Sequence, residues 1–254
     1  MRFRVVIPAR HDASRLPGKP LRNLGGRPLV QHVWDRASES GATEVVVATD
    51  DERVAGTVEA FGGRAAMTPA RLRSGTERLV ILAREADWDD DDVVVNLQGD
   101  EPLMPPAIIH QVAADLAAHP EGEMATLATR IRSAEELHDP HVVKVVHDAR
   151  GWALYFSRAP IPWERDAFAE DAGRLPERGE FLRHVGIYAY RVGFLREYPL
   201  DGECRLEEAE ALEQLRVLYH GHRIHVAEAL EPPGHGVDTE ADLARAEAAL
   251  ARRG

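Results

Sequence analysis

The chain has 254 residues, a formal net charge of −12 and one cysteine; its 44% apolar and 29% charged residues are typical of a globular protein. The negative charge disfavours a general nucleic-acid binder, because such proteins carry a broad basic face. No apolar run approaches the roughly 18 residues that span a bilayer, and one cysteine excludes an intrachain disulfide. We therefore expect a cytoplasmic protein with a small-molecule ligand and no nucleic-acid or membrane partner.

The chain opens with a short apolar strand at residues 5–7, followed by a loop that carries the cations Arg10, Arg15 and Lys19. Prolines in this loop lower the entropy lost on ordering, and Gly18 permits backbone geometry that other residues resist. A stiff cationic loop after a strand suits a polyphosphate ligand. From charge alone, a solvated basic loop is an equally good interpretation.

The first 120 residues alternate between strand and helix patterns. Further strands are predicted at 44–49, 64–67 and 92–97, and helices at 28–40, 50–61, 76–86 and, after Pro105-Pro106, to about His119. This alternation predicts an α/β fold with a doubly wound, mostly parallel sheet, which binds ligands at the carboxyl ends of its strands. The cationic loop should therefore meet the loop that carries Gln98 and Asp100.

The pattern of predicted elements changes in the second half of the chain. Strands are predicted at 124–131, 142–147, 152–156, 181–190 and 223–230, and helices at 192–198, at 206–219 and after Thr239. Residues 158–179 are rich in proline and charge, which predicts a long functional loop. We predict one domain over residues 1–254, with its core at about 1–120 and 231–254 and a β-rich insertion at about 121–230.

The helix predicted at 206–219 would bury one face that includes Leu206 and Tyr219. At 3.6 residues per turn, its Glu210, Glu213 and Gln214 would lie within about 100° of one another, beside that face.

Two aspartates are candidate metal ligands. Asp100 follows a buried strand, and Asp238 lies in a glycine-flanked loop before a helix. Paired carboxylates and a nucleotide triphosphate suit Mg²⁺ and phosphoryl or nucleotidyl transfer, although either aspartate alone is more typical of a turn or cap. There is no G-x-G-x-x-G motif, and Pro20 after Lys19 rules out a Walker A loop, so nicotinamide enzymes and P-loop ATPases are disfavoured.

Other polar groups have two interpretations each. Residues 74–78 could read a base or ribose, or could cap a helix. Arg158, Arg165 and His184 could bind an acidic sugar, although surface salt bridging is favoured from these residues alone. The histidines at 220, 222 and 225 straddle the end of a helix and a strand, and no carboxylate or cysteine completes a compact ligand set, so they indicate a solvated turn rather than a metal site.

Eight motifs together resemble the 3-deoxy-manno-octulosonate (Kdo) cytidylyltransferase family. In chain order they are IPAR (7–10), RLPGKPL (15–21), SGTER (74–78), NLQGDEP (96–102), YFSR (155–158), LRHVGIY (182–188), LEQLR (212–216) and GVDT (236–239). The first motifs are shared loosely with other sugar nucleotidyltransferases, whereas those of the second half are specific to the Kdo enzymes. His11 and Cys204-Arg205 depart from the family pattern.

The resemblance implies a homodimeric, Mg²⁺-dependent enzyme of the nucleotide-diphosphosugar-transferase fold. It would join CTP to the anomeric hydroxyl of Kdo and release pyrophosphate, on the route to lipopolysaccharide. By resemblance, Lys19, Asp100 and Asp238 are catalytic and both aspartates bind the metal. The nucleotide would contact Ala9, Arg10, Arg15, Lys19, Ser74, Gly75, Arg78 and Gln98, and the sugar would contact Arg158, Arg165, His184, Tyr188, Glu210, Glu213 and Gln214.

Two alternatives stay open. The first is the same chemistry on a related acid sugar, such as 8-amino-8-deoxy-Kdo or a sialic acid. The second is a non-catalytic nucleotide-binding regulator, which should have lost Lys19, Asp100 or Asp238; all three are present. No histidine stands out as a general base, so none is assigned.

Overall fold

The first half of the chain folds into alternating strands and helices. The structure is a computed structural model and describes residues 1–11, 16–72, 74–176, 179–199 and 202–252. Its elements up to residue 118 are β1 Phe3–Pro8, a 3₁₀ turn Lys19–Leu21, β2 Asn23–Leu24, β3 Arg27–Pro28, α1 Leu29–Glu39, β4 Glu44–Thr49, α2 Glu52–Ala60, β5 Arg64–Met67, α3 Gly75–Glu85, β6 Val93–Asn96 and α4 Pro106–Ala118.

The second half contains shorter helices between its strands. Its elements are β7 Met124–Arg130, α5 Ala134–His138, β8 Lys144–His147, β9 Ala153–Ser157, α6 Arg165–Glu170, β10 Leu182–Arg191, α7 Val192–Glu197, α8 Arg205–Glu210, α9 Gln214–Tyr219, β11 Ile224–Glu228 and α10 Glu240–Ala251. Thr239 caps α10 as predicted, since its hydroxyl accepts a hydrogen bond from the Asp242 amide.

One central sheet organises both halves. Across the described residues its strand order is β11-β7-β10-β6-β1-β4-β5, with β8 and β9 attached beside β10. The pairs β1–β4, β1–β6, β4–β5 and β7–β11 are parallel, whereas β10 runs antiparallel to both of its neighbours on this path. The prediction of a mostly parallel sheet is confirmed.

Helices cover both faces of this sheet. Val5 and Ile7 on one face of β1 pack with α1, α2, α4 and α10, and Val6 on the opposite face packs with α3, α7 and α9. Apolar residues on both faces are what a central parallel strand requires, which explains the runs of three valines at 45–47 in β4 and 93–95 in β6. Among the described helices, none combines the length and the apolar character needed to cross a bilayer.

The single helix predicted at 206–219 is wrong. The chain leaves helical geometry at Ala211, which has a left-handed φ of 50°, and forms α8 and α9 instead. Leu206 and Tyr219 are exposed, whereas Leu212 and Leu215 after the break are buried. The two helices differ in burial: α8 buries none of its residues, whereas α9 buries Gln214, Leu215 and Val217. A single straight helix would not combine an exposed first half with a buried second half.

The segment 158–179 also differs from the predicted irregular loop, since it contains α6. Phe168 of this helix is buried and packs near Phe181, Leu137 and Val142 in a small separate core. Burial of one aromatic side chain therefore stabilises a helical turn that local composition did not indicate.

Candidate active site

A cavity of about 490 Å³ opens at the carboxyl ends of β1 and β6. Ligand sites of doubly wound sheets lie at this edge. Its wall includes many of the predicted site residues, namely Ala9, Arg10, Lys19, Ser74, Gly75, Arg78, Gln98, Asp100, Tyr188, Glu213 and Asp238. Predicted residues from both halves of the chain therefore surround one volume.

Lys19 joins the two predicted metal-binding aspartates. Its Nζ donates to Asp100 Oδ2 at 2.9 Å and to Asp238 Oδ1 at 2.8 Å. Burial alone would lower the pKa of Lys19, but the negative charge of Asp100 and hydrogen bonds to both carboxylates outweigh it, so the pKa is raised. The ammonium therefore stays charged and holds the two carboxylates together.

Backbone contacts bring Asp238 to this position. The Val237 amide donates to the Asp100 carbonyl oxygen at 2.8 Å, and the Asp238 amide donates to the Asp242 carboxylate in the first turn of α10. Gly99 is needed beside them, because a Cβ there would lie 2.6 Å from the Pro8 carbonyl oxygen. The carboxyl ends of β1 and β6 are thereby tied to the loop before α10.

The opposite wall begins at the N-terminus of α3. The Ser74 hydroxyl caps this helix by accepting from the Glu77 amide, so the capping interpretation of this segment holds at Ser74. Gly75 packs so closely on Pro8 that a Cβ would approach a proline side-chain carbon to 2.9 Å. The helix start is therefore fixed against the end of β1.

Arg78 is a buried cation in the same wall. Its guanidinium donates to Asp50 Oδ2 at 2.7 Å and to the Thr68 hydroxyl. Asp50 and Thr68 therefore orient Arg78, a role that the sequence did not suggest for either residue. The helix α2 begins at Glu52, later than the predicted start at residue 50, and Asp51 is its N-cap.

Tyr188 and Glu213 are the two predicted sugar-binding residues that line the described cavity, and none of the other five does so. Glu213 Oε1 accepts a hydrogen bond from the Thr76 hydroxyl at 3.0 Å. Burial raises the pKa of Glu213, while the hydrogen bond from Thr76 acts in the opposite direction. Burial, together with the charge of Glu213, also raises the pKa of Tyr188, so its hydroxyl remains a hydrogen-bond donor.

Arg158 and Glu210 form a separate cross-link outside the cavity wall. Arg158 Nε donates to the Glu210 carbonyl oxygen at 2.6 Å, and its Nη1 donates to the Pro140 carbonyl oxygen at 2.9 Å. The Glu210 carboxylate accepts from the Ser157 hydroxyl and from the Arg158 amide. These contacts tie α8 to the end of β9.

The other predicted sugar residues also lie away from the described cavity wall. His184 is buried behind Tyr188, with ring centroids 5.3 Å apart, and burial lowers its pKa to about 3. Arg165 is exposed and pairs with its neighbour Asp166. Gln214 is buried, and its Nε2 has no hydrogen-bond partner among the described residues. Arg15 and its predicted phosphate contact lie outside the described residues.

Comparisons with known proteins agree with this geometry. A family model described as Cytidylyltransferase matches residues 4–224. A curated 3-deoxy-manno-octulosonate cytidylyltransferase from Hahella chejuensis is 54% identical over 98% of each chain. One from Pseudomonas fluorescens is 55% identical over 96% of each chain. The chain belongs to the 3-deoxy-manno-octulosonate cytidylyltransferase family.

Solved structures agree with this membership. A CMP:2-keto-3-deoxy-manno-octonic acid synthetase complexed with CTP matches all of this chain with a TM-score of 0.91 and 44% identity, over 100% of its own length. A nucleotidyl transferase from Methanothermobacter matches at a TM-score of 0.59 over 100% of this chain and 99% of its own, and at 17% identity it shows the fold alone. The family resemblance and the fold class predicted from the sequence are confirmed.

Glu101 of the cytidylyltransferase motif NLQGDEP was not singled out from the sequence. Burial, followed by the charges of Asp100 and Asp238, raises the pKa of its carboxyl group to about 8. Its Oε2 has no hydrogen-bond partner within the described part of the chain, and a Cβ on Gly236 would lie 2.8 Å from Oε1. Glu101 therefore fills the space beneath the Asp238 loop.

A second cluster of possible metal ligands lies away from the cavity, at Asp115, His119 and His225. The two histidine rings are stacked, with centroids 3.6 Å apart, so their in-plane lone pairs do not converge on one ion. His225 Nδ1 lies 2.6 Å from Asp115 Oδ2, and Nε2 lies 3.1 Å from the Arg150 carbonyl oxygen. Because both ring nitrogens face acceptors, this arrangement favours a protonated His225.

The interpretation of the three histidines as a solvated turn is therefore wrong for His225. Burial alone would lower the pKa of His225, but its hydrogen bond to Asp115 and the Asp115 charge outweigh burial and raise it. The carboxylate that completes the cluster comes from α4, 110 residues away in sequence, where no local pattern could indicate it.

Proposed function

We propose that this chain transfers the cytidylyl group of CTP to the anomeric hydroxyl of Kdo and releases pyrophosphate, in a step towards lipopolysaccharide. The observation that carries the proposal is the contact of Lys19 with both Asp100 and Asp238 at the cavity edge. The curated relatives with more than 50% identity bear the name of this activity. A regulator that had lost catalysis would not be expected to keep Lys19, Asp100 and Asp238 together.

In the proposed reaction the anomeric oxygen attacks the α-phosphorus of CTP. The new bond joins that oxygen to phosphorus, the bond from the α-phosphorus to the bridging oxygen breaks, and pyrophosphate leaves with the electron pair. Lys19 offsets negative charge that develops on the phosphate oxygens. Arg10, which is exposed in the cavity wall, adds a second positive charge beside the triphosphate. The hydroxyl proton passes to solvent.

Asp100 and Asp238 are the residues that would hold Mg²⁺. Their carboxylates converge on one ammonium and so form an oxygen donor set, which fits this ion. When bound, Mg²⁺ supplies positive charge to the triphosphate and lowers the pKa of a coordinated hydroxyl. Binding of the triphosphate would draw Lys19 towards the phosphates and release both aspartates.

The cavity has a nucleotide end and a sugar end in this proposal. Ser74, Gly75, Arg78 and Gln98 line the nucleotide end, and Tyr188 and Glu213 line the sugar end. For Arg158, Arg165, His184, Glu210 and Gln214 to contact the sugar, the insertion would have to close over the cavity. The unpartnered amide of Gln214 is consistent with such closure, because a buried donor gains from meeting a sugar oxygen.

We also propose that the enzyme acts as a cytoplasmic homodimer that pairs through the insertion at about 121–230. Leu154 on β9 and Trp163 before α6 are large apolar side chains that this part of the chain exposes. Light scattering of the purified chain should give a mass near 56 kDa, twice the 28.1 kDa of one chain. A mass of one chain at micromolar concentration contradicts the dimer.

The activity is tested by measuring pyrophosphate release with CTP, Mg²⁺ and one acid sugar at a time. Kdo should support turnover, and release should stop when Kdo or Mg²⁺ is left out. Faster turnover with 8-amino-8-deoxy-Kdo or a sialic acid would assign a different sugar to the same chemistry. No release with any of these sugars would contradict the proposed function.

A further inference from the structure

Two buried hydroxyl groups stand behind the Glu213 carboxylate at the cavity wall. Thr76 Oγ1 lies 3.0 Å from Glu213 Oε1 and 3.4 Å from the Tyr190 hydroxyl oxygen. The Thr76 hydroxyl has one proton, and it donates this proton to Glu213 Oε1. Thr76 therefore accepts from Tyr190, which fixes the direction of both hydrogen bonds.

Thr76 lies behind the cavity wall, between the start of α3 and Glu213. It lies in the first turn of α3, directly after Ser74 and Gly75, which line the nucleotide end. Glu213 comes from the other side, as the residue before α9. Thr76 itself is 1% exposed and is not part of the described cavity wall. Its hydroxyl can therefore act on a ligand only through Glu213.

The break at Ala211 makes this contact possible. A continuous helix through residues 206–219 would carry Glu210 and Glu213 on neighbouring positions of one surface. Because the helix breaks between them, the two carboxylates point to different partners. Glu210 accepts a hydrogen bond from Ser157, whereas Glu213 accepts one from Thr76. The contact with Thr76 places the Glu213 carboxylate at the start of α3.

We propose that Thr76 is a positioning residue that orients the Glu213 carboxylate towards the sugar and couples the sugar end of the cavity to the nucleotide end. This inference rests on the proposed function. Holding one carboxylate oxygen through Thr76 fixes the direction of the lone pairs that remain for a sugar hydroxyl. Because Thr76 directly follows Ser74 and Gly75, a nucleotide that contacts the start of α3 also holds Thr76 in place and, through it, Glu213.

The test compares Thr76→Val, which removes the hydroxyl at nearly constant volume, with Thr76→Ser, which retains it. Thr76→Val should raise KM for Kdo about tenfold, as expected when a buried acceptor loses its donor, and should change KM for CTP less than about threefold. Thr76→Ser should restore both values to within about twofold of wild type. Calorimetry should show that CTP tightens Kdo binding in wild type but not in Thr76→Val.

A double-mutant cycle separates positioning from general loosening. In a Glu213→Ala background, which leaves no acceptor for the Thr76 hydroxyl, Thr76→Val should cost less than about twofold in KM for Kdo, because its effect passes through the carboxylate. An equal cost in both backgrounds, or a Thr76→Val protein that matches wild type, overturns the proposal. Thermal unfolding checks each variant, and Thr76→Ala replaces Thr76→Val if the valine variant does not fold.

The outcomes for wild type distinguish the two proposals. A wild-type protein that releases no pyrophosphate with CTP and Kdo overturns the proposed function, and the role of Thr76 falls with it. An active wild type with an unaffected Thr76→Val overturns the role of Thr76 alone.

Discussion

Replacing Lys19 by methionine removes the ammonium between Asp100 and Asp238 while keeping a long, unbranched side chain. In the wild type, a divalent cation has to compete with this ammonium for the two carboxylates. We therefore expect two opposite effects. Without nucleotide, Lys19→Met should bind Mg²⁺ more tightly, whereas with CTP and Kdo it should turn over much more slowly.

The size of the first effect follows from the two hydrogen bonds. A hydrogen bond to a charged group contributes about 1.5–3 kcal/mol to stability. The Lys19 side chain is 14% exposed, but those of Asp100 and Asp238 are 33% and 45% exposed, so solvent screening reduces each bond below that range. Taking about 1 kcal/mol for each bond, their loss should tighten Mg²⁺ binding by a factor of about ten to thirty.

The second effect is larger, because Lys19 would contact charge that develops during transfer. Loss of one such contact lowers kcat by about 10²- to 10³-fold in other enzymes. Calorimetric titration with Mg²⁺ measures the first effect, and steady-state pyrophosphate release measures the second. Arg27→Met is the control, since it removes an exposed ion pair with Asp35 and should change neither value.

Unchanged or weaker Mg²⁺ binding in Lys19→Met would refute the competition between the ammonium and the metal. A fall in kcat of less than about threefold would mean that Lys19 only positions the loop.

Two further predictions concern the second half of the chain. Gly151→Ala should destabilise the fold by about 3 kcal/mol, because Gly151 has a φ of 84° and an added Cβ would lie 2.5 Å from His225 Nε2. Gly221→Ala, with a φ of 81° and open space, should cost only about 1 kcal/mol; equal losses in urea unfolding contradict the steric argument. The Asp115–His225 pair should stabilise the fold below the ordinary histidine pKa of 6.5 and lose that effect as pH rises through the raised pKa of His225. Asp115→Asn should therefore lower the free energy of unfolding more at about pH 6 than at about pH 8.5, and equal losses contradict this account.

The sheet and the edge at which Lys19 contacts Asp100 could be predicted from the strand pattern. Valine runs at 45–47 and 93–95 mark strands buried on both faces, and the carboxyl ends of parallel strands meet at one edge. This rule placed the Lys19 loop beside Asp100, and the structure has the two side chains in contact.

The remaining features depend on contacts that no local pattern records. The break at Ala211 uses a left-handed conformation in a residue without a glycine signal, so helical periodicity continued through it. Asp115 and His225 are 110 residues apart, and Thr76 gains its partner only because that break turns Glu213 towards α3. Long-range packing decides these positions.

The most direct test of the central claim is the product stoichiometry of a complete reaction. Mass spectrometry of CTP, Kdo and Mg²⁺ incubated with the wild-type chain should show one CMP-linked Kdo formed for each pyrophosphate released. With Asp238→Asn, both products should fall together, because this change removes a carboxylate that faces Lys19. Nucleotide consumption without Kdo, or release of orthophosphate in place of pyrophosphate, would contradict attack of the sugar on the α-phosphorus.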